Sequence, residues 1–423
     1  MTLHSLQPVG LKSQAVNFQA LPPLSLYIHI PWCVRKCPYC DFNSHEVRTP
    51  SPLKGEARPV LSLSKEGEDG IEQQYVAALV RDLELALPLI WGRKVYTVFF
   101  GGGTPSLLSG ESVAEILRNV RMLLPLDLGA EITLEANPGT VEAARFAAYR
   151  DAGVNRLSLG IQSFNDVHLQ ALGRIHSADE ARRAIEIAQR HFDNINLDLM
   201  YALPGQNQDK TLGQTLEQAL QDVQTALSFA PQHLSCYHLT LEPNTLFHLN
   251  PPSLPDDDAS SDMQQRIEEL LAAHGYQHYE TSAFAQPNRR AKHNLNYWQF
   301  GDYLGIGAGA HSKLSFPDKV IRHVRHKQPQ AYMEQVAQDA PLHSEHEVPR
   351  DELAFEFMMN ALRLNEGFAS VLFQERTSLP LSSISRELEQ AALRGLLFRD
   401  HQRVAPTRLG QRFLNDLLGI FMR

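Results

Sequence analysis

The sequence predicts an α/β fold: a partial (β/α)6 barrel of parallel strands, followed by a smaller C-terminal α+β, winged-helix-like module. Three observations lead there. Between residues 24 and 255, six apolar strand patterns are separated by segments of helical periodicity, the order expected of parallel strands covered by crossover helices. Polar residues and glycines gather where those strands end, on the rim where such barrels place their chemistry. Beyond about residue 320 the alternation gives way to helical segments and one short hairpin pattern.

Residues 1–23 are irregular and end in "LPPLS", which reads as a leader before the fold. "LSLYIHI" is the first strand. Residues 46–70, rich in Pro, Gly, Ser and charge, read as a mobile surface insertion. Regular units follow: helix "IEQQYVAALVRDLELAL", strand "KVYTVFF", helix "ESVAEILRNVRMLL", strand "EITLEA" and helix "TVEAARFAAYRDAG", closed by Gly153. "NRLSLGIQ", "NINLDLMYAL" and "QHLSCYHL" are the remaining strands, separated by "SADEARRAIEIAQRH" and "KTLGQTLEQALQDVQTAL". Residues 256–320 then form a connecting segment that carries "HNLNYW". In 321–423, "RDELAFEFMMNALRL", "SSISRELEQAALRGLL" and "TRLGQRFLNDLLGIF" are helices and "LFRDHQRVAP" is a β-wing.

With 423 residues, 43% hydrophobic and 8% aromatic, the chain is an ordinary globular protein of one large and one small unit. It opens with no basic segment leading into an apolar one, and no apolar run approaches the roughly 20 residues of a membrane helix, so a cytoplasmic protein is expected. A net charge of −9 gives no electrostatic reason to expect nucleic acid, and a DNA-binding role for the winged module is disfavoured. The basic stretch "IRHVRHK", Ile321 to Lys327, reads as solvated surface. The amphipathic end "FLNDLLGIFMR" packs within the module by default, although a peripheral membrane contact or a partner helix would also suit it. A monomer or a dimer is expected.

The stretch "YIHIPWCVRKCPYCDF" holds three of the four cysteines, as Cys33-x3-Cys37-x2-Cys40. A closed zinc site or an ordinary iron–sulfur cluster takes four protein ligands. The fourth cysteine, Cys236, lies far off in a strand pattern and reads as core. A cubane cluster on three thiolates leaves one iron open to a small molecule, and thiolate ligands require a reducing compartment. A zinc-binding interaction protein is the competing reading. The other strand ends supply "GGGTPS" (Gly101 to Ser106), Glu135 with Asn137, Gln162 with Ser163, and Asp198.

"CVRKCPYC" resembles the cluster-binding loop of radical S-adenosylmethionine (SAM) proteins. "YIHIPWC", "FFGGGTPS", "LEANPGT", "RLSLGIQSF", "LGRIHS" and "DLMYALPGQ" resemble the coproporphyrinogen dehydrogenase-like branch over about residues 24–315. The resemblance implies that Cys33, Cys37 and Cys40 hold a [4Fe–4S] cluster whose open iron is taken by the amino and carboxylate groups of SAM. It implies that Tyr27, Gly102 and Glu135 contact that SAM, and that Tyr39, Gly103, Thr104, Gln162, Arg174, Asp198 and Thr240 match positions around a second SAM.

Two features separate members of the branch. The dehydrogenases carry a further cysteine just past the cluster motif, where this chain has Asp41 and Phe42. "HNLNYW", followed by "GDYLGIGAGAHS", resembles the HNxxYW signature of HemW-type haem chaperones, relatives that bind haem and deliver it to respiratory haem enzymes. That resemblance implies haem as cargo, with His293 as ligand or attachment point and Asn294, Tyr297 and Trp298 beside it. An imidazole can ligate iron and flat rings can cover a porphyrin. Oxidative decarboxylation of propionates, the dehydrogenase reaction, is the alternative, and no catalytic residue is assigned.

Overall fold

The computed structural model describes residues 16–47, 70–140, 143–205 and 213–422. Most of the expected insertion and the first part of the leader lie outside the described residues. The six expected strands are β1 Leu24–Ile30, β2 Val95–Gly102, β3 Leu126–Ala136, β4 Arg156–Gln162, β5 Ile195–Tyr201 and β6 His233–His238. Between them run α1 Ile71–Ala86, α2 Gly110–Leu123, α3 Ala143–Ala152, α4 Ala178–His191 and α5 Leu216–Ser228. The strands pair in parallel in chain order. Ser177 and Thr215 start α4 and α5 with reciprocal capping boxes to Glu180 and Gln218, so local sequence fixes where each crossover helix begins.

The sheet does not stop at six strands. Asp302–Ile306 returns to pair in parallel with β1, and His311–Ser315, Val320–Arg325 and Leu342–Glu347 add antiparallel strands beyond it. On the far side Ala283–Ala285 and Gln277–Glu280 follow β6. The result is one twelve-stranded curved sheet with two open edges, a barrel left unclosed. Strands from the expected connecting segment 256–320, and Val320–Arg325 and Leu342–Glu347 after it, thus belong to this main sheet.

"IRHVRHK" is corrected as well. Its strand is largely buried, with Arg325 1% exposed, because Asp82 on α1 lies beneath it with a fully buried carboxylate. Arg325 Nη2 donates to Asp82 at 3.1 Å, and the Tyr332 hydroxyl adds a second donor at 2.9 Å. A buried charge needs such a partner, and alternation along the strand turns Arg325 inward to supply it.

The C-terminal module has its own core around Phe357, Phe373 and Leu388, with helices Leu353–Ala361, Ser370–Thr377 and Ser385–Leu393. The expected wing is the antiparallel pair Leu397–Arg399 and Arg403–Pro406, joined by Phe368–Ala369. Leu417 and Phe421 of the terminal amphipathic stretch are buried in this core. Val16 and Phe18 of the leader pack there too, and Asn17 exchanges two hydrogen bonds with Ser378. The described part of the leader thus has no regular secondary structure but is packed. No helix among the described residues is long and apolar enough to cross a membrane.

Candidate functional site

The cysteine loop leaves β1 and folds back on itself: Trp32–Cys33 pairs with His45–Glu46, and Cys40 N–H donates to Cys37 O at 3.1 Å. Cys33, Cys37 and Cys40 are part-exposed and all line a cavity of about 400 Å3 in the barrel lumen. Burial pushes the Cys33 and Cys40 thiols up, while the Thr104 hydroxyl, 3.4 Å from Cys33 Sγ, pulls Cys33 back. Arg174 Nη1 donates to Cys37 Sγ at 3.6 Å. Donors aimed at two of the sulfurs stabilise thiolates, which is the state a cluster requires. Among the described residues no three His, Cys, Asp or Glu side chains form a group able to hold a single metal ion. Three sulfurs fall one short of a closed zinc site and fit a cluster that leaves one iron open.

Below the loop the lumen is polar because alternate residues of each strand face inward. Glu131 and Glu135 of β3, Arg156, Ser158 and Gln162 of β4, Asn196 and Asp198 of β5, and His233 and Ser235 of β6 are placed by this alternation. Asp198 accepts from Ser158 Oγ at 2.9 Å and Asn196 Nδ2 at 2.8 Å, and Asn196 continues the network to His233 Nδ1 at 2.6 Å. Burial, then the neighbouring Asp198, push Glu135 up to about 8; its hydrogen bond is from Gly102 N–H at 3.3 Å. A carboxyl with so few donors is ready for a cationic or N–H-bearing ligand.

The protein's own packing is enough to require the glycine run. Close approach of a ligand is the usual reason for such a loop, but here the protein itself occupies the space. A Cβ on Gly101 would meet the Phe99 ring at 2.6 Å, on Gly102 the His29 ring at 2.5 Å, and on Gly103 the Trp32 carbonyl at 2.5 Å. Gly102 also has φ +111°, which disfavours any side chain.

"HNLNYW" forms the short helix Lys292–Trp298. Ala291 provides no side-chain cap, so Glu131 caps the helix from the barrel. Its carboxylate accepts the N–H groups of Lys292 at 3.0 Å and His293 at 3.3 Å, and lies 3.0 Å from His293 Nδ1. Burial opposes ionisation of Glu131, but His293 and Arg156 hold it down at about 2. Burial also lowers His293, against the opposing pull of the Glu131 carboxylate.

The signature does not make one flat face. His293 and Asn294 line the lumen; Tyr297 lines a second cavity of about 800 Å3; Trp298 turns away under Arg363 of the C-terminal part, 4.3 Å from ring centre to guanidinium carbon. Of the other expected residues, Tyr39, Gly103, Thr104, Gln162, Arg174 and Asp198 line the lumen, Gly102 and Glu135 line both cavities, and Tyr27 lines only the second. Burial raises the Tyr39 phenol beside Arg174 and Cys37. Thr240 is brought to neither cavity: it is exposed and its hydroxyl donates to Glu242 at 2.7 Å. Reading the strands as apolar runs missed Glu131, Arg156, Asn196 and His233. Their period of two along "EITLE", "RLSLGIQ" and "NLDL" was the available signal.

A three-cysteine loop above β1, facing a polar lumen in an unclosed parallel barrel, defines a radical SAM protein. The family model for the Radical SAM superfamily matches residues 27–219, and that for the HemN C-terminal domain matches 348–413. The chain belongs more narrowly to the HemW family. It is 48% identical to "Heme chaperone HemW" of Escherichia coli (strain K12), over 95% of this chain and 99% of that one. It is 45% identical to the Haemophilus influenzae protein of the same name over 95% and 98%. It is also 34% identical to "Radical S-adenosyl methionine domain-containing protein 1, mitochondrial" of Bos taurus over 93% and 86%. The solved structure of coproporphyrinogen III oxidase (HemN) from Escherichia coli superposes with a TM-score of 0.75 at 23% identity, covering 95% of this chain and 90% of that one, a likeness of fold.

Proposed function

We propose that this chain is a haem chaperone that carries a [4Fe–4S] cluster and SAM in its barrel, binds haem as cargo and hands it to haem proteins, respiratory enzymes among them, in the cytoplasm. The observation that supports this most is end-to-end identity of 48% to a heme chaperone, with "HNLNYW" present in this chain. Cys33, Cys37 and Cys40 would hold the cluster, which when bound supplies an iron with an open coordination position. The Thr104 hydroxyl and the Arg174 guanidinium donate to sulfurs. The Glu135 carboxyl, with Gly102 N–H, would meet the methionine end of SAM, and its ionisation there would release a proton. Six of the seven positions matched to a second SAM line the same cavity, and Thr240 does not.

Asp41 and Phe42 in place of a further cysteine favour this reading over a coproporphyrinogen dehydrogenase. Anaerobic reconstitution, then haem titration, haem transfer to an apo-haem protein and incubation with coproporphyrinogen III, tests both. Haem transfer without vinyl products is expected; vinyl products without haem binding would reverse the assignment.

A further inference from the structure

The second cavity is twice the volume of the lumen and shares Cys40, Phe42, Ser44, Phe99, Gly102 and Glu135 with it, so a ligand seated there lies beside the cluster and its SAM. Part of its other wall is Gly309 and His311 of "GIGAGAHS", a motif to which no role has been assigned. Gly307 and Gly309 have φ of +101° and +78°. A Cβ on the first would meet the His29 carbonyl at 2.5 Å, and on the second it would collide with the Asn43 amide. These glycines let the turn press against β1 and the cluster loop, which sets His311 at the cavity wall.

Three imidazoles line this space, but their availability differs. His29 has both nitrogens engaged, with the Tyr27 hydroxyl at 2.9 Å and Asn43 O at 2.8 Å. His45 Nε2 lies 3.3 Å from Lys327 O. His311 is exposed and its ring has no hydrogen-bond partner among the described residues. Lys327 is exposed as well, and its ammonium has no ion-pair partner among them. Flat rings surround these groups: Phe42, 59% exposed, and Tyr297 set edge-on to Tyr303 at 4.8 Å. By contrast, His293 is 6% exposed, anchored to Glu131, and sits in the smaller lumen, the cavity that all three cluster-loop cysteines line.

Resting on the chaperone reading, we propose that haem is seated in this second cavity, with an imidazole nitrogen of His311 ligating the iron and the Lys327 ammonium meeting a propionate. A free imidazole, ring-faced walls and an unpaired cation together match an iron porphyrin dicarboxylate. His293 is then a positioning residue, fixing through Glu131 the helix that presents Tyr297 to the cavity.

Haemin titration of the full, cluster-loaded chain, read by Soret absorbance and by the electron paramagnetic resonance of the ferric iron, tests the seat. His311→Ala should weaken haem at least about tenfold and remove the axial-ligand signature, and added imidazole should restore that signature. Lys327→Ala should weaken haemin but not its dimethyl ester. His293→Gln should keep the wild-type axial signature, even where looser packing lowers occupancy. An unchanged His311→Ala spectrum, or loss of the signature in His293→Gln with native circular dichroism, overturns the seat while leaving the chaperone reading intact. Absence of saturable haem binding in the wild type overturns the chaperone reading itself, and the seat with it.

Discussion

Glu131 and Glu135 share the lumen face of β3, yet Glu131 lies 3.0 Å from His293 Nδ1 and accepts two backbone N–H groups, whereas Glu135 accepts one N–H, from Gly102 at 3.3 Å. The same residue type on the same strand is thereby held in opposite protonation states near neutral pH. Glu131 is held at about 2, and burial with Asp198 lifts Glu135 to about 8. One carboxylate is committed to the helix cap and the other is left with a single donor.

The first consequence is a stability profile. Glu131 ionises more readily in the folded chain than in the unfolded one, so its contribution is complete above the ordinary value of 4.5 and is lost as pH falls from there through about 2. A shift of that size corresponds to roughly 3 kcal/mol. Urea unfolding of Glu131→Gln should show a loss of about 2–3 kcal/mol at pH 7 and a smaller further loss in acid than the wild type. Equal acid sensitivity in both chains would refute the pairing with His293.

Glu135 has the opposite sign. Its folded value of about 8 lies above the ordinary 4.5, so the stability it confers is complete below 4.5 and is lost as pH rises through about 8. Glu135→Gln should therefore stabilise the ligand-free chain at alkaline pH while weakening SAM, by thermal melts and isothermal titration respectively. A variant with reduced stability at pH 9 and wild-type SAM affinity would remove Glu135 from the pocket.

Gly102 and Gly92 separate packing from backbone strain. Both have positive φ, +111° and +70°, but a Cβ on Gly102 strikes the His29 ring whereas Gly92 has nothing within 4 Å. Gly92→Ala should cost about 1 kcal/mol of strain. Gly102→Ala should cost more and should also loosen the cluster, because His29 is bonded to Asn43 O, inside the loop. Similar losses in the two variants would mean that the glycine run serves ligand approach after all.

The parallel core was legible because six apolar strands and their capped helices follow local rules, and the cysteine loop because its spacing is local. Residues 302–347 were not legible. Whether "IRHVRHK" is surface or sheet depends on Asp82, more than two hundred residues away, and no local pattern reports a buried counter-ion. The splitting of "HNLNYW" between cavities was hidden for a related reason: the cap that orients this helix is Glu131 on another element.

The Asp82–Arg325 pair makes that dependence measurable. Both side chains are at most 1% exposed, so removing one leaves a charge stranded. Arg325→Met should cost about 3–5 kcal/mol in chemical denaturation, far beyond a surface arginine such as Arg386. A loss below about 1 kcal/mol would return the stretch to the solvated surface.

The four cysteines should divide three to one. Cys33, Cys37 and Cys40 are part-exposed at the rim, whereas Cys236 is buried in the main core, where burial and then Asp198 push its thiol up to about 12. The thiolate is the reactive form, so Cys236 should resist alkylation in the folded chain. Cluster-free protein treated with iodoacetamide should gain three adducts by intact mass and a fourth only in denaturant. Cys236→Ala should keep full iron and sulfide content after reconstitution, whereas serine at any of the other three positions should abolish it. Four adducts under native conditions, or iron lost equally in all four variants, would make Cys236 a ligand and close the iron position on which SAM binding depends.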